Sequence, residues 1–132
     1  MVPGRRVPGQ KDLGALVRFH EEIYWKEYRY DRRFGAYVAK GLADMALRYD
    51  DDRDRLWLVR KKGHIIGSVA IVHRSRTSAQ LRWFLVAPAF RRRGLGKRLM
   101  GQALDDSKLH YPSEFIRLPP VLDGRYLVEK PL

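Results

Sequence analysis

Residues 91–98 read Arg-Arg-Arg-Gly-Leu-Gly-Lys-Arg, with five cations set around two glycines. Gly94 and Gly96 carry no Cβ, so an anionic ligand can come close to the main chain there. The spacing beyond them predicts a helix that opens at or just before Gly94. The first turn of a helix leaves several N–H groups without intrahelical partners. Those groups, and the positive end of the helix dipole, favour an anion. The residue types and order therefore describe a cradle for a phosphate or pyrophosphate. The cations Arg91, Arg92, Arg93, Lys97 and Arg98 surround those groups.

The cradle needs a strand to lead into it and a helix to lead out. Gln80–Val86 is an apolar run ended by Pro88, which has no N–H for a ladder. Leu95, Leu99, Met100, Ala103 and Leu104 form the buried stripe of a helix over about 94–108. Upstream, Arg55–Arg60 and His64–Arg74 flank a Lys-Lys-Gly turn and read as a hairpin. Ser75–Ser78 makes the next turn, which gives a meander of antiparallel strands. Two helices precede it. Asp12 is a candidate N-cap for the first, whose large residues fall at Leu13, Leu16, Val17, His20, Ile23, Tyr24 and Tyr28. Asp31 is positioned to cap the second, with Phe34, Tyr37, Val38, Gly41, Leu42, Met45, Ala46 and Tyr49 at the same period. Residues 1–11 read as irregular, with at most a short strand near Arg5–Val7. Residues 111–132 are atypical: Glu114–Leu118 reads as a strand, Pro119-Pro120 stops it, and Arg125–Glu129 reads as a last strand.

The chain has 132 residues, enough for one domain with a real core, and 45% of them are apolar. It has no cysteine, which removes disulfides and thiolate metal sites and fits a reducing cytoplasm. No metal site is expected; Asp50-Asp51-Asp52 reads as a loop with solvated charges. The basic N-terminus lacks the apolar segment of a signal peptide, and no run is long enough for a membrane span. The net charge of +12 favours polyanionic partners. Nucleic acid is one candidate and a phosphorylated coenzyme is another. Tyr24, Trp25, Tyr28 and Tyr30 have helical spacing, which reads as core or pocket lining rather than as a platform for bases.

The residues Val86, Pro88, Arg91, Gly94 and Gly96 resemble the acyl-CoA motif of the GNAT superfamily of N-acyltransferases. The order of elements over about residues 12–109 is similar to the first two-thirds of a GNAT domain. A closer likeness is to the acetyltransferase half of bacterial proteins that fuse a MarR-type regulator to a GNAT domain. It lies in His20–Tyr28 followed by Asp31, and in Gly67-Ser68-Val69 leading to Ala79-Gln80-Leu81-Arg82. The resemblance implies one α+β domain in three layers, a mixed, mostly antiparallel sheet flanked by helices. It implies acetyl-CoA as acyl donor, a primary amine of a small molecule or protein as acceptor, and possible assembly as a homodimer. Phe84, Leu85 and Val86 would pair through their main chain with the pantetheine arm. The amides of Arg92, Arg93, Gly94, Leu95, Gly96 and Lys97 would hold the pyrophosphate. No winged helix is present, so MarR-type DNA binding does not carry over. The 22 residues after His110 are fewer than the family's terminal strand, helix and hairpin need, so an incomplete or altered C-terminal part is expected.

N-acylation needs an unprotonated amine held against a thioester carbonyl. A base must take the ammonium proton, and Glu21, Glu22 and His73 are the candidates. An acid for the departing thiolate would come from Tyr126 or Tyr111. Two further readings stand beside acetyl transfer: an acyl-CoA-binding module without turnover, and a basic nucleic-acid-binding protein.

Overall fold

The computed structural model describes residues 2–5, 10–50, 52–76, 78–110 and 116–117. A five-stranded sheet runs in the order β1 (Val2–Arg5), β2 (Arg55–Lys61), β3 (His64–His73), β4 (Ala79–Val86), β5 (Ile116–Arg117). The first four strands are antiparallel to their neighbours, and β5 is parallel to β4. Helices α1 (Gln10–Tyr28) and α2 (Arg32–Leu47) cover one face, and α3 (Leu95–His110) covers the other. The mixed, mostly antiparallel sheet flanked by helices is the fold expected from the sequence.

Local chemistry sets the boundaries. Asp31 caps α2, its carboxylate accepting from the Arg33 N–H at 2.9 Å. Lys62 and Gly63 both have positive φ, at 52° and 81°, the conformation of the two-residue turn that joins twisted antiparallel strands. Two details differ from the sequence reading. The first strand takes in Val2–Arg5, beginning ahead of the Arg5–Val7 expected, and pairs Val2 with Leu58 and Arg5 with Leu56 of β2; Arg6 and Val7 lie outside the described residues. Asp12 sits inside the first turn of α1, not at its cap, and is ion-paired with Arg60 of β2.

Alternation along β2 and β3 divides the core in two. Leu56, Leu58, Ala70 and Val72 pack under α1 and α2; Trp57, Val59, Val69 and Ile71 pack under α3. In β4 the alternation breaks. Ala79 and Leu81 join the α3 side, but Trp83 and Leu85 join the α1/α2 side. The cause is one extra residue. Ser68 pairs with Leu85 and Ala70 with Arg82, so β4 spends three steps where β3 spends two. Trp83 takes φ 49° at this bulge, a left-handed conformation costly for a non-glycine residue.

Candidate functional site

Three pieces of chain meet at the end of β4. The strand passes Phe84, Leu85 and Val86, turns through a short 3-10 segment (Pro88–Phe90), and enters α3 after Gly94. The helix α1 lies across this corner. Between them is a cleft of about 280 Å3 lined by Tyr24, Glu27, Tyr28, Phe84, Leu85, Val86, Arg91, Arg92 and Gly96.

The walls of the cleft are mixed in a useful way. Tyr24, Tyr28 and Phe84 are aromatic, while the floor is main chain. Among the described residues, β5 pairs β4 only at Ala79 and Gln80, so no strand covers the outer edge of β4 from Leu81 onward. That edge is open to an extended ligand that adds to it as another strand would. At the other end, the first intrahelical bond is donated by Arg98 to the Gly94 carbonyl at 3.0 Å. By helix geometry the N–H groups of Leu95, Gly96 and Lys97 precede it. Arg92 and Gly94 have φ values of 63° and 82°, flanking Arg93. Alternation of this kind turns successive N–H groups toward one side and forms an anion-binding hollow. Gly96 lines this cleft, and a Cβ there would stand in ordinary contact, 3.5 Å from Phe84 Cζ and 3.6 Å from Val86 Cγ2. The cradle fits a coenzyme with a pyrophosphate and an extended arm.

The basic side chains divide. Arg91 is spent on the protein. Its Nη1 and Nη2 donate to the two oxygens of Glu27 at 2.7 and 3.0 Å, and its Nε donates to the Val86 carbonyl at 2.9 Å. It clamps α1 to the end of β4. Arg93 and Lys61 lie over the Phe90 ring, at 5.5 and 5.2 Å from its centroid. Arg92, Lys97 and Arg98 are exposed and pair with no carboxylate among the described residues.

The candidate bases are not brought together. The Glu21 carboxylate packs over Gly35 and lines a separate hollow at the α1–α2 corner with Trp25, Tyr30, Asp31, Arg32 and Arg33. Glu22 is exposed on α1. His73 closes β3 opposite Ala79, whereas Gly67 lies opposite Val86. The six residue steps from Gly67 place His73 about 20 Å along the strand from the cradle. Its Nδ1–H donates to Asp54 Oδ1 at 2.8 Å, and its main-chain N–H donates to the same oxygen at 2.7 Å. Asp54 is buried. Tyr111 and Tyr126 lie outside the described residues.

Two residues escaped the sequence reading. Glu27 holds the motif arginine, and an acid on the cleft face of α1, three residues after Tyr24, was the available signal. Ser68 holds the bulge, its Oγ donating to the Trp83 carbonyl at 2.6 Å, and no spacing in the chain points to it.

Among the described residues no His, Cys, Asp and Glu cluster could hold a metal, and no helix is long and apolar enough to cross a membrane. No curated protein matches the chain. Solved structures do. An acetyltransferase of the GNAT family from Staphylococcus aureus Mu50 superposes with TM-score 0.68 at 17% identity, covering 93% of this chain and 78% of that one. A predicted acetyltransferase from Clostridium acetobutylicum, solved with acetyl-CoA, gives 0.64 at 16% identity, covering 92% and 83%. Escherichia coli ElaA gives 0.63 at 17% identity, covering 93% and 78%. At such identities these likenesses speak for the fold. The family model for the acetyltransferase (GNAT) family matches residues 17–118, and with the strand, cradle and helix in the order that motif requires, the chain belongs to the GNAT acetyltransferase family.

Proposed function

We propose that this chain is an N-acetyltransferase that moves an acetyl group from acetyl-CoA to a primary amine of a small molecule or protein. The observation that carries the reading is the cleft beside Gly96, with main-chain N–H groups at one end and, at the other, a β4 edge that among the described residues is paired only at Ala79 and Gln80. The pyrophosphate rests on the amides from Arg92 to Lys97. The pantetheine arm runs along Phe84, Leu85 and Val86. Acetyl-CoA supplies the activated acyl group; the protein holds it, orients it and removes a proton from the amine.

The bulge has a chemical use in this reading. The extra residue leaves a main-chain N–H near Trp83 and Phe84 outside the ladder, free to meet an oxygen that gains negative charge. Glu21 and His73 are carried as the candidate bases: Glu21 borders the hollow at the α1–α2 corner, and His73 the one that Arg82 of β4 also lines. Asp54 keeps the His73 ring oriented, so its Nε2 is the nitrogen left to accept a proton.

A thermal-shift series with acetyl-CoA, coenzyme A and ATP tests the assignment. Ligand at about a hundred times its Kd stabilises by about 2.7 kcal/mol. Acetyl-CoA and coenzyme A raise Tm, and ATP does not. Equal shifts with all three leave only a general anion site, and a shift with labelled RNA alone returns the chain to nucleic-acid binding. In acetyl-transfer assays the variant, Glu21→Gln or His73→Gln, that loses the acid limb of the pH profile of kcat/KM has lost the base.

A further inference from the structure

The bulge that opens the coenzyme cleft also builds a second hollow. Arg82 and Trp83 are consecutive, yet both side chains lie on the α2 side of the sheet; the Arg82 guanidinium sits 4.4 Å from the Trp83 ring centroid. It is held from the other side by Tyr37, with Nη2 donating to the phenol oxygen at 3.3 Å. Gly41 of α2 is its seat: a Cβ there would stand 3.0 Å from Nη2 and 2.9 Å from Trp83 Cζ2. Three neighbours thus fix a side chain that is ordinarily mobile. The Arg82 Nε is buried and has no hydrogen-bond partner.

Around this guanidinium run two adjoining hollows of about 190 and 280 Å3, which share Gly41, Asp44, Arg74 and Arg82. Lys40 and Gln80 line one, and Arg48 and His73 the other. Among the described residues no carboxylate pairs with Lys40, Arg48, Arg74 or Arg82. Asp44, on the α2 wall, brings the one negative charge not already tied to His73. The groove and the coenzyme cleft lie along the same strand: Gln80 and Arg82 line one, Phe84, Leu85 and Val86 the other, and the buried Trp83 separates them.

We propose that this groove binds the acid group, carboxylate or phosphate, of the amine that is acetylated, with Arg82 and Arg74 as its partners. The acceptor is then an amine that also carries an acid. Asp44 faces the ammonium end. A pre-positioned guanidinium loses little freedom on binding, and bonds to charged groups are the strong ones. This rests on the acetyl-transfer reading for the identity of the acceptor, but not for the existence of the anion site.

Calorimetry on the full chain, with and without acetyl-CoA, tests it with matched probes: O-phosphoethanolamine against ethanolamine, and β-alanine against β-alaninamide. In each pair the amine is kept and the acid removed. The expected result is that at least one acidic member binds about tenfold or more tightly than its neutral partner, as a charged hydrogen bond implies. Which pair responds distinguishes phosphate from carboxylate. Arg74→Gln, at an exposed position, and Arg82→Gln abolish the difference. Equal binding within both pairs overturns the proposal, and so does a preference that both variants retain. The acetyl-CoA titration in the same cell reports separately on the coenzyme site. If acetyl-CoA binds and neither pair discriminates, the anion groove is wrong and the acetyltransferase stands. If acetyl-CoA fails to bind while a pair discriminates, the reverse holds.

Discussion

The Ser68 hydroxyl donates to the Trp83 carbonyl at 2.6 Å, across a bulge that no other side chain spans among the described residues. Ser68 is fully buried. The bond gives the Trp83 carbonyl a side-chain partner at the bulge, where a ladder is locally disrupted. Ser68→Ala therefore leaves a buried acceptor unpaired and costs about 1–3 kcal/mol of stability, read as a lower urea midpoint. It also frees the bulge, so kcat for acetyl transfer falls more than acetyl-CoA affinity does. A variant with unchanged midpoint and kcat shows that the bulge holds itself.

The two glycines of the cradle serve different ends and their variants separate them. Gly94 has φ 82° with nothing within 4 Å of a would-be Cβ, so Gly94→Ala meets only backbone strain. Its cost is about 1 kcal/mol, seen in Tm. Gly96 is helical, and a side chain there enters the cleft beside Phe84 and Val86. Gly96→Glu is expected to keep Tm within a few degrees and to abolish acetyl-CoA binding by calorimetry, because a carboxylate meets the pyrophosphate. Wild-type affinity in Gly96→Glu places the coenzyme elsewhere.

How much of this could be read from the chain differs by element. Pro88, Gly94 and Gly96 mark a turn and a helix start by their own backbone limits, so the strand–loop–helix unit was visible. Asp31 announced α2 because capping is a local interaction. The faces of β4 were not visible. Ala79, Leu81, Trp83 and Leu85 alternate without a break in the sequence, yet the bulge sends the first two to α3 and the last two to α1 and α2. Nothing in Leu-Arg-Trp-Phe marks the extra residue; only the pairing with β3 creates it. Arg91 shows the same limit: its partner Glu27 lies 64 residues away, and such a distant pairing leaves no local trace.

The contact between Gly41 and the bulge gives a prediction about packing. The α2 backbone approaches closely enough that a Cβ would stand 2.9 Å from the buried Trp83 ring. The ring cannot yield without moving the bulge. Gly41→Ala is thus expected to lose about 1–3 kcal/mol through overpacking, in spite of the better helix propensity of alanine. A gain in Tm contradicts the close approach.

His20 sets the response to acid. It is buried among Leu16, Phe19 and Tyr24, with Nδ1–H donating to the Leu16 carbonyl at 3.0 Å and Nε2 left without a partner. Burial disfavours the charged ring and lowers its pKa from 6.5 to about 4, against a smaller opposing effect of the Leu16 bond. The unfolded chain therefore binds a proton between pH 6.5 and 4 that the folded chain refuses. By linkage, stability is unaffected above pH 6.5 and falls as the pH drops toward 4, by about 3 kcal/mol at the end of that window. Asp31 and Asp50, whose carboxyls are held below their usual 3.8 by bonds to Arg33 and to the Asp52 N–H, add losses only at lower pH. Urea unfolding at steps between pH 7 and 4 measures the slope. In His20→Leu that portion of the slope disappears, since neither state then has a proton to gain at this position. A variant with the wild-type slope locates the acid sensitivity in another group.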